Sequence, residues 1–462
     1  MHTYIIRRLL LMIPTLLGIT IVVFTVMAAS PGGISPQSLV EGQNLEPKAK
    51  KALEDYYNHL YGLNQPAPIQ YLRWLNNISP VGFTFDKDNS IDGFSLTKGS
   101  DLGRSFRYGR PVRDLLAERT PITVLLNILT LPITYVIAIG IGLHAATRRG
   151  KAFDTGSSTA MLALWSTPTM LAGVLLIGFF ANRQYWQWFP TAGLSQREAL
   201  DMPFLPHFAQ WSDAGVLFAA MIVVSAVLMW LNLALAAKPR AAAMGVFGLL
   251  LGYAMANAMG SGQGADVATT VVLSAGTAAL FAGMAYVDFV ALRVSSFGLA
   301  GIIGGALLAS HFFHGDMTRG FLLDRLWHLI LPIACFTYGS FAFLAKLTRG
   351  AILENLLADY ARTARAKGVP ENVVLWRHVF RNSLLPLITV SAGLLPSLIG
   401  GSVIVESIFS IDGLGKLAVE AVQARDRELV LSVTLISGVL TLVGYLLADL
   451  CYAMADPRVS YD

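Results

Sequence analysis

Runs of about twenty apolar residues, each ended by a basic or turn-rich loop, constrain this chain more than any other feature. A helix needs about 20 such residues to cross the roughly 30 Å hydrocarbon core of a bilayer. With 54% hydrophobic residues, 14% charged ones and a mean hydropathy of +0.57 over 462 residues, the chain is too apolar for a soluble protein of this size. An all-α polytopic membrane protein is expected. The net charge of +5 sits mostly in a few loops, without a basic stripe carrying interleaved aromatics, so no nucleic-acid partner is expected. Cys335 and Cys451 both lie inside apolar segments and read as buried packing residues.

The first run, Leu9 to Ala29, follows Arg7 and Arg8. It is long enough to span, where the apolar core of a signal peptide is shorter, so 1–30 reads as a retained first span with its N-terminus inside. Residues 31–120 are mixed and polar and read as an extracytoplasmic segment. In 121–200, Pro121 to Ala146 and Ser157 to Ala181 read as spans two and three. Arg148, Arg149 and Lys151 between them mark the cytoplasm, and Trp186, Trp188 and Phe189 an outer interface. Residues 201–325 hold four further apolar runs near 214–236, 241–261, 267–291 and 296–314. They are rich in glycine (Gly245, Gly248, Gly252, Gly260, Gly301, Gly304, Gly305), which lets membrane helices approach closely. Residues 326–462 hold Leu326 to Lys346, His378 to Val405 and Val430 to Tyr452, around a charged loop at 347–380. Both termini are expected in the cytoplasm.

That loop is the most informative stretch. From Lys346 to Arg381, seven Lys/Arg face three acids, a net charge of +4, which belongs on the cytoplasmic side. Tyr360 to Lys367 is dense in Ala and Arg, good helix formers; Gly368 ends the helix, and Pro370, Glu371 and Asn372 open a second one. Two short helices with a glycine corner form a protrusion suited to docking into another protein. The following run carries Ser391, Gly393, Ser397, Gly400, Gly401 and Ser402. These small residues suit a polar translocation path and suit close helix packing equally well.

The string from Asp359 to Gly368 (DYARTARAKG), followed by Arg377-His378, Arg381-Asn382 and Pro386, resembles the cytoplasmic loop of ABC-importer permeases of the dipeptide/oligopeptide type. The opening around Tyr4, Arg7, Arg8 and Pro14, the Gln70–Trp74 and Trp188–Gly193 segments, and the Asp456-Pro457-Arg458 ending resemble the same family. The resemblance implies a six-span permease core, with 201–325 as about four inserted membrane helices. It implies that Asp359, Tyr360, Arg362, Thr363, Ala364, Arg365, Ala366, Lys367 and Gly368 form a coupling helix in a cleft of a separate ATPase. Implied partners are a second homologous permease, two cytoplasmic ATPases, an extracytoplasmic solute-binding protein and the lipid of a bacterial-type inner membrane. The implied cargo is di- or oligopeptides or similar small solutes. With the loop inside and the third core span leaving outside, the inserted spans must be even in number: four, or two longer ones.

Other signals point away from chemistry. Gly413-Leu414-Gly415-Lys416 hints at a phosphate loop, but Ser410 and Leu417 stand where the pattern needs Gly and Ser/Thr. His311, His314 and Asp316 fall short of a metal set, and no catalytic triad is arranged. Asp449, within the last span and near Arg458, reads as structural. A transport subunit without catalytic residues, cofactor or metal is expected. The rival reading, a stand-alone channel or secondary transporter, calls for mid-span charged pairs and an inverted repeat, neither of which is evident.

Overall fold

The computed structural model describes residues 2–30, 47–49, 51–52, 55, 65–85, 91–182, 188–258, 266–287, 290–314 and 317–455. Trp186, Gly260, Asp316 and the 456–458 ending lie outside them.

The chain forms two compact units, residues 1–170 with 332–462, and residues 171–331. In the first, α1 (His2–Ala29) packs on α15 (Arg427–Ala455), and Asp449 of α15 pairs with Arg8 of α1 at 2.9 Å. α2 (Ala67–Ile78) and the hairpin β1 (Gly82–Phe85) with β2 (Ile91–Ser95) belong to the segment after α1. α3 (Val112–Thr147) begins nine residues before the predicted second span. Its first turn buries Val112, Leu115 and Leu116 against Leu414, Leu417 and Ala421 of α14 (Leu414–Gln423) and Leu429, Val430 and Val433 of α15. A second cluster joins Ala138 of α3, Met161, Ala342, Leu344, Ala345 and Leu387.

The third predicted span is not one helix. It divides into α4 (Ala152–Ser166) and α5 (Thr169–Phe180). Thr167 takes extended backbone angles (φ −89°, ψ 125°), because a following proline disfavours the helical region. Among the described residues, eight single helices are long and apolar enough to cross a membrane, and the α4–α5 pair, bent by 98° at its break, makes a ninth only if the two halves form one span. The run predicted at 378–405 is α13 (Arg381–Ile408), 28 residues long.

In the second unit the four predicted runs are four helices: α6 (Trp211–Ala234), α7 (Ala237–Ala258), α8 (Val267–Met284) and α9 (Val290–Ser310). α6 packs on α9 and α7 on α8. Both contacts use backbone-close glycines. A Cβ on Gly301 or Gly305 would fall 2.5–2.6 Å from the Ser225 or Met221 Cα or the Ala220 carbonyl, and one on Gly248 would fall 2.6 Å from the Thr277 carbonyl. Arg240 and Arg293, both buried, donate to the Ala285, Val287 and Asn232 carbonyls at the ends of α8 and α6, where cations suit the helix dipole. His314 pairs with buried Asp213 through its backbone N–H (3.1 Å) and ring Nδ1 (3.4 Å).

Cys335 is buried, but Cys451 is exposed on α15, against expectation. Apolar sequence predicts removal from water, which lipid achieves as well as protein does.

Candidate functional site

α10 (Gly320–Leu357) continues three turns beyond the predicted span end at Lys346, because Ala351 to Leu357 contains no helix breaker. Ala358 then leaves helical space (ψ 151°), and α11 (Asp359–Ala366) begins. α11 ends in a Schellman motif. The Gly368 N–H donates to the Arg365 carbonyl (2.9 Å), the Val369 N–H donates to the Ala364 carbonyl (3.2 Å), and Gly368 sits at φ +75°. A Cβ on Gly368 would meet nothing within 4 Å. The glycine is therefore set by backbone conformation, not by crowding.

The corner is braced from both sides. The Arg365 guanidinium donates to both oxygens of Glu371 at 2.9 and 2.8 Å and to the Leu356 carbonyl at 3.2 Å. Those bonds hold the Glu371 carboxyl below its ordinary pKa and raise that of Arg365. The second helix is not short. α12 (Glu371–Val373) passes through a π-helical turn (Val374–Phe380) directly into α13. Bonding from i to i+5 brings residues five apart towards one face, and Val374 and Val379 are both fully buried. α11 packs against this turn and buries Ala361 and Ala364, three residues apart. Of the nine predicted coupling residues, Ala364 alone is buried; Asp359, Tyr360, Arg362, Thr363, Arg365, Ala366, Lys367 and Gly368 are exposed.

The legs of the loop are tied by side chains. Tyr360 Oη donates to Asn355 Oδ1 (2.5 Å), and Asn355 Nδ2 donates to Ser383 Oγ (3.1 Å), joining α10, α11 and α13. Buried Asp154 at the start of α4 accepts two bonds from Arg349 of α10 (2.5 and 2.9 Å) and one from the Gly150 N–H (2.9 Å). Gly142 of α3 lies so close to α10 that a Cβ there would fall 2.6 Å from the Thr348 Cβ. These bonds tie α11 to α10 and α13, and α10 to the α3–α4 turn. Sequence reading missed Arg349 and Asp154; their signal was an acid and a base placed at the ends of apolar runs.

The predicted path residues share α13 and are not gathered around the loop. Ser391 Oγ donates to the Ile388 carbonyl within its own helix (2.5 Å), and a Cβ on Gly393 would meet nothing within 4 Å. The side-chain surroundings of Ser397, Gly400, Gly401 and Ser402 lie outside those described.

A second polar cluster joins α3, α13, α14 and α15 away from the elbow. Fully buried Glu406 accepts from Thr123 Oγ1 (2.6 Å) and the Lys416 N–H (2.9 Å), while Thr123 Oγ1 accepts from the Leu414 N–H (2.8 Å). The glycine turn that mimicked a phosphate loop therefore cradles a carboxylate of its own chain, and a Cβ on Gly413 would fall 2.4 Å from Glu406. Buried Asp426 accepts from Ser105 Oγ (2.5 Å), the Arg107 N–H (3.2 Å) and the Leu429 N–H (3.2 Å); burial outweighs these bonds and pushes its pKa up. Arg427 pairs with Glu428 and donates to Gln70 Oε1 (2.9 Å). Glu406 and Asp426 stand out in the sequence as acids flanking apolar runs, but their side-chain partners Thr123 and Ser105 lie 283 and 321 positions away and carry no sequence signal.

Residues 248–461 match the family described as the binding-protein-dependent transport system inner membrane component, and residues 1–127 match its N-terminal region. Over its whole length the chain is 30% identical to the oligopeptide transport system permease protein AppB of Bacillus subtilis, all of which is covered. It is 28% identical to a putative peptide transport system permease protein of Brucella abortus, again with both chains fully covered. It is 25% identical to the peptidoglycan transport system permease protein YejB of Agrobacterium fabrum, with 99% of that protein covered.

Proposed function

The chain belongs to the inner membrane components of binding-protein-dependent transport systems, and from that premise we propose that it moves peptides by coupling the α11–Gly368 elbow to a separate ATPase. It is a multi-pass inner-membrane permease subunit of an ABC importer, not an enzyme; ATP is hydrolysed on other subunits. The names of its relatives, oligopeptide and peptidoglycan transport system permeases, support a peptide-class cargo. The elbow faces the cytoplasm, with both termini on the same side, and a second, homologous permease completes the path.

One observation carries this reading. Eight of the nine coupling residues are exposed on a short helix that is nevertheless fixed by a Schellman corner, a bidentate ion pair and a side-chain bridge. A surface held rigid without being used for the chain's own packing is suited to a partner. Force on α11 reaches α13 through an uninterrupted helix, and α4 through Arg349 and Asp154. ATP-driven closure of the ATPases would move the elbow, and α13, bearing Ser391, Gly393, Ser397, Gly400, Gly401 and Ser402, would follow. A two-state device of this kind requires different partner contacts in its two states.

The test is uptake of a labelled oligopeptide by proteoliposomes holding the permease pair and the ATPases, with binding protein added. Uptake that needs both ATP and binding protein is expected. Equal flux through this chain alone, without nucleotide, would make it a channel or secondary transporter. Orientation is read with a membrane-impermeant maleimide on Thr97→Cys in intact spheroplasts: labelling from outside is expected, and labelling only after lysis contradicts it.

A further inference from the structure

α2 and the β1–β2 hairpin play no part in the coupling route, yet they form a rigid apolar surface. α2 turns Gln70, Tyr71 and Trp74 inward, onto a cluster with Phe24 of α1 and Leu431 of α15. Its other side leaves Ile69 and Leu72 exposed. The hairpin is clamped to the end of α2 by one amide. Asn76 Nδ2 donates to the Phe83 carbonyl (2.9 Å), and Asn76 Oδ1 accepts from the Phe83 N–H (2.8 Å). Phe83 and Phe94 are direct cross-strand partners, edge-to-face at 5.5 Å, and are 48% and 62% exposed. With Ile69, Leu72, Leu75 and Val81, and the polar Arg73, Asn76 and Ser79, they line a mostly apolar groove of about 740 Å³. Leu96 beside it is 73% exposed. A contiguous apolar surface of this kind is rare against water.

Its level along α1 says what covers it. Tyr71 Oη shares a hydrogen bond with Thr20 Oγ1 (2.9 Å), and the Tyr71 ring lies 5.4 Å from that of Phe24. Thr20 lies nine residues, about 13 Å, from the Ala29 end of α1. Half of a bilayer's hydrocarbon core is about 15 Å thick. Phe24 lies five residues, about 7 Å, from the same end. α2 therefore runs beside the half of the span that ends at Ala29, with its Phe24 contact at the roughly 5–10 Å depth where interfacial helices bury their apolar faces and its Thr20 contact deeper. Val22 and Val26 of α1 are exposed along the same stretch of a helix long and apolar enough to cross a membrane. Lys98, at the hairpin base, donates to the Asn76 carbonyl (2.7 Å).

We propose that the outward face of α2 and its hairpin is an interfacial anchor, seated in the acyl–headgroup boundary of bilayer phospholipid. Only the choice of the outer leaflet rests on the orientation given under Proposed function. Phe83 and Phe94 lie among the upper acyl carbons and hold α1 at a fixed depth.

The test uses the assembled transporter in nanodiscs of phosphatidylethanolamine and phosphatidylglycerol. An environment-sensitive fluorophore is placed on Phe94→Cys and, separately, on Leu96→Cys, in a Cys335→Ala/Cys451→Ser background. Blue-shifted emission that loses more than half its intensity to lipids brominated near the headgroup, and little to aqueous iodide, is expected at both positions. Iodide quenching without bromolipid quenching at both would overturn the proposal. So would protection that arises only when the solute-binding protein is added, which would make the face a protein-docking surface. Depth is read without transport and without reference to side, so this result and that of the Thr97→Cys labelling fail independently.

Discussion

The elbow unit and the four-helix unit are both built from apolar helices, but they are joined by different forces. Around the elbow, helices are tied by directional side-chain bonds: Arg349 to Asp154, Asn355 to Ser383, Arg365 to Glu371. In the unit spanning 171–331, the closest helix approaches are made by glycine, with backbone against backbone at Gly248, Gly252, Gly301 and Gly305, and the side-chain bonds between helices run from Arg240, Arg293, Thr277 and Ser225 to backbone carbonyls. Glycine contacts depend on shape alone and are lost when a single methyl group is added. Polar ties depend on chemical identity and can be broken and remade between two arrangements. The region expected to move carries the switchable kind, and the four-helix unit the other.

Chemical and steric substitutions should therefore hit the two regions in opposite ways. Arg349→Ala leaves the carboxylate of Asp154, 5% exposed, without its fork. About 3 kcal/mol of stability should go, seen as a lower unfolding midpoint in detergent, and Arg349→Lys should recover only part because it cannot form the bidentate pair. A loss no larger than that of an exposed pair would erase the contrast. Gly305→Ala in the other unit drives a Cβ to 2.6 Å from Met221 Cα. About 1–3 kcal/mol is expected from overpacking, with no change in the ATPase's affinity for the permease; weakened ATPase binding would join the two regions functionally.

Gly368→Ala separates strain from crowding. Nothing stands near its Cβ, so only the positive φ resists, at roughly 1–2 kcal/mol. Gly350→Ala, in open helical space on α10, should instead be neutral or gain up to about 1 kcal/mol. Equal effects would remove the corner from the argument. The smallest effect belongs to Glu371→Gln, since both partners are substantially exposed: below about 1 kcal/mol. Because Arg365 depresses the Glu371 pKa, the pair's contribution is complete above the unfolded value of about 4.3 and is lost as pH falls through the lower folded value. A pair that strengthens on acidification in a pH series of melting curves would contradict this sign.

Much of this was legible in the sequence. The string from Tyr360 to Gly368 announced a helix ended by glycine, and the structure supplies the left-handed Gly368 that the ending requires. The four glycine-rich runs became four helices in close contact at Gly248, Gly252, Gly301 and Gly305. Less legible was whatever depends on long-range geometry. Pro168 breaks the third run through its effect on Thr167, and the π-helical turn keeps Val374 and Val379 buried where the start signals at Pro370, Glu371 and Asn372 implied a second short helix. The cradle for Glu406 looked like a nucleotide loop because glycine-rich turns expose N–H groups to any anion, including one from the same chain.

The most direct test places a photo-crosslinker on Thr363→Cys, an exposed elbow position, in the intact transporter and compares the nucleotide-free and ATP-bound states. The account requires adducts with the ATPase in both states, with the ATPase residues captured differing between them. An elbow that captures no ATPase in an assembly shown to contain it, or that captures only the solute-binding protein, would contradict the account.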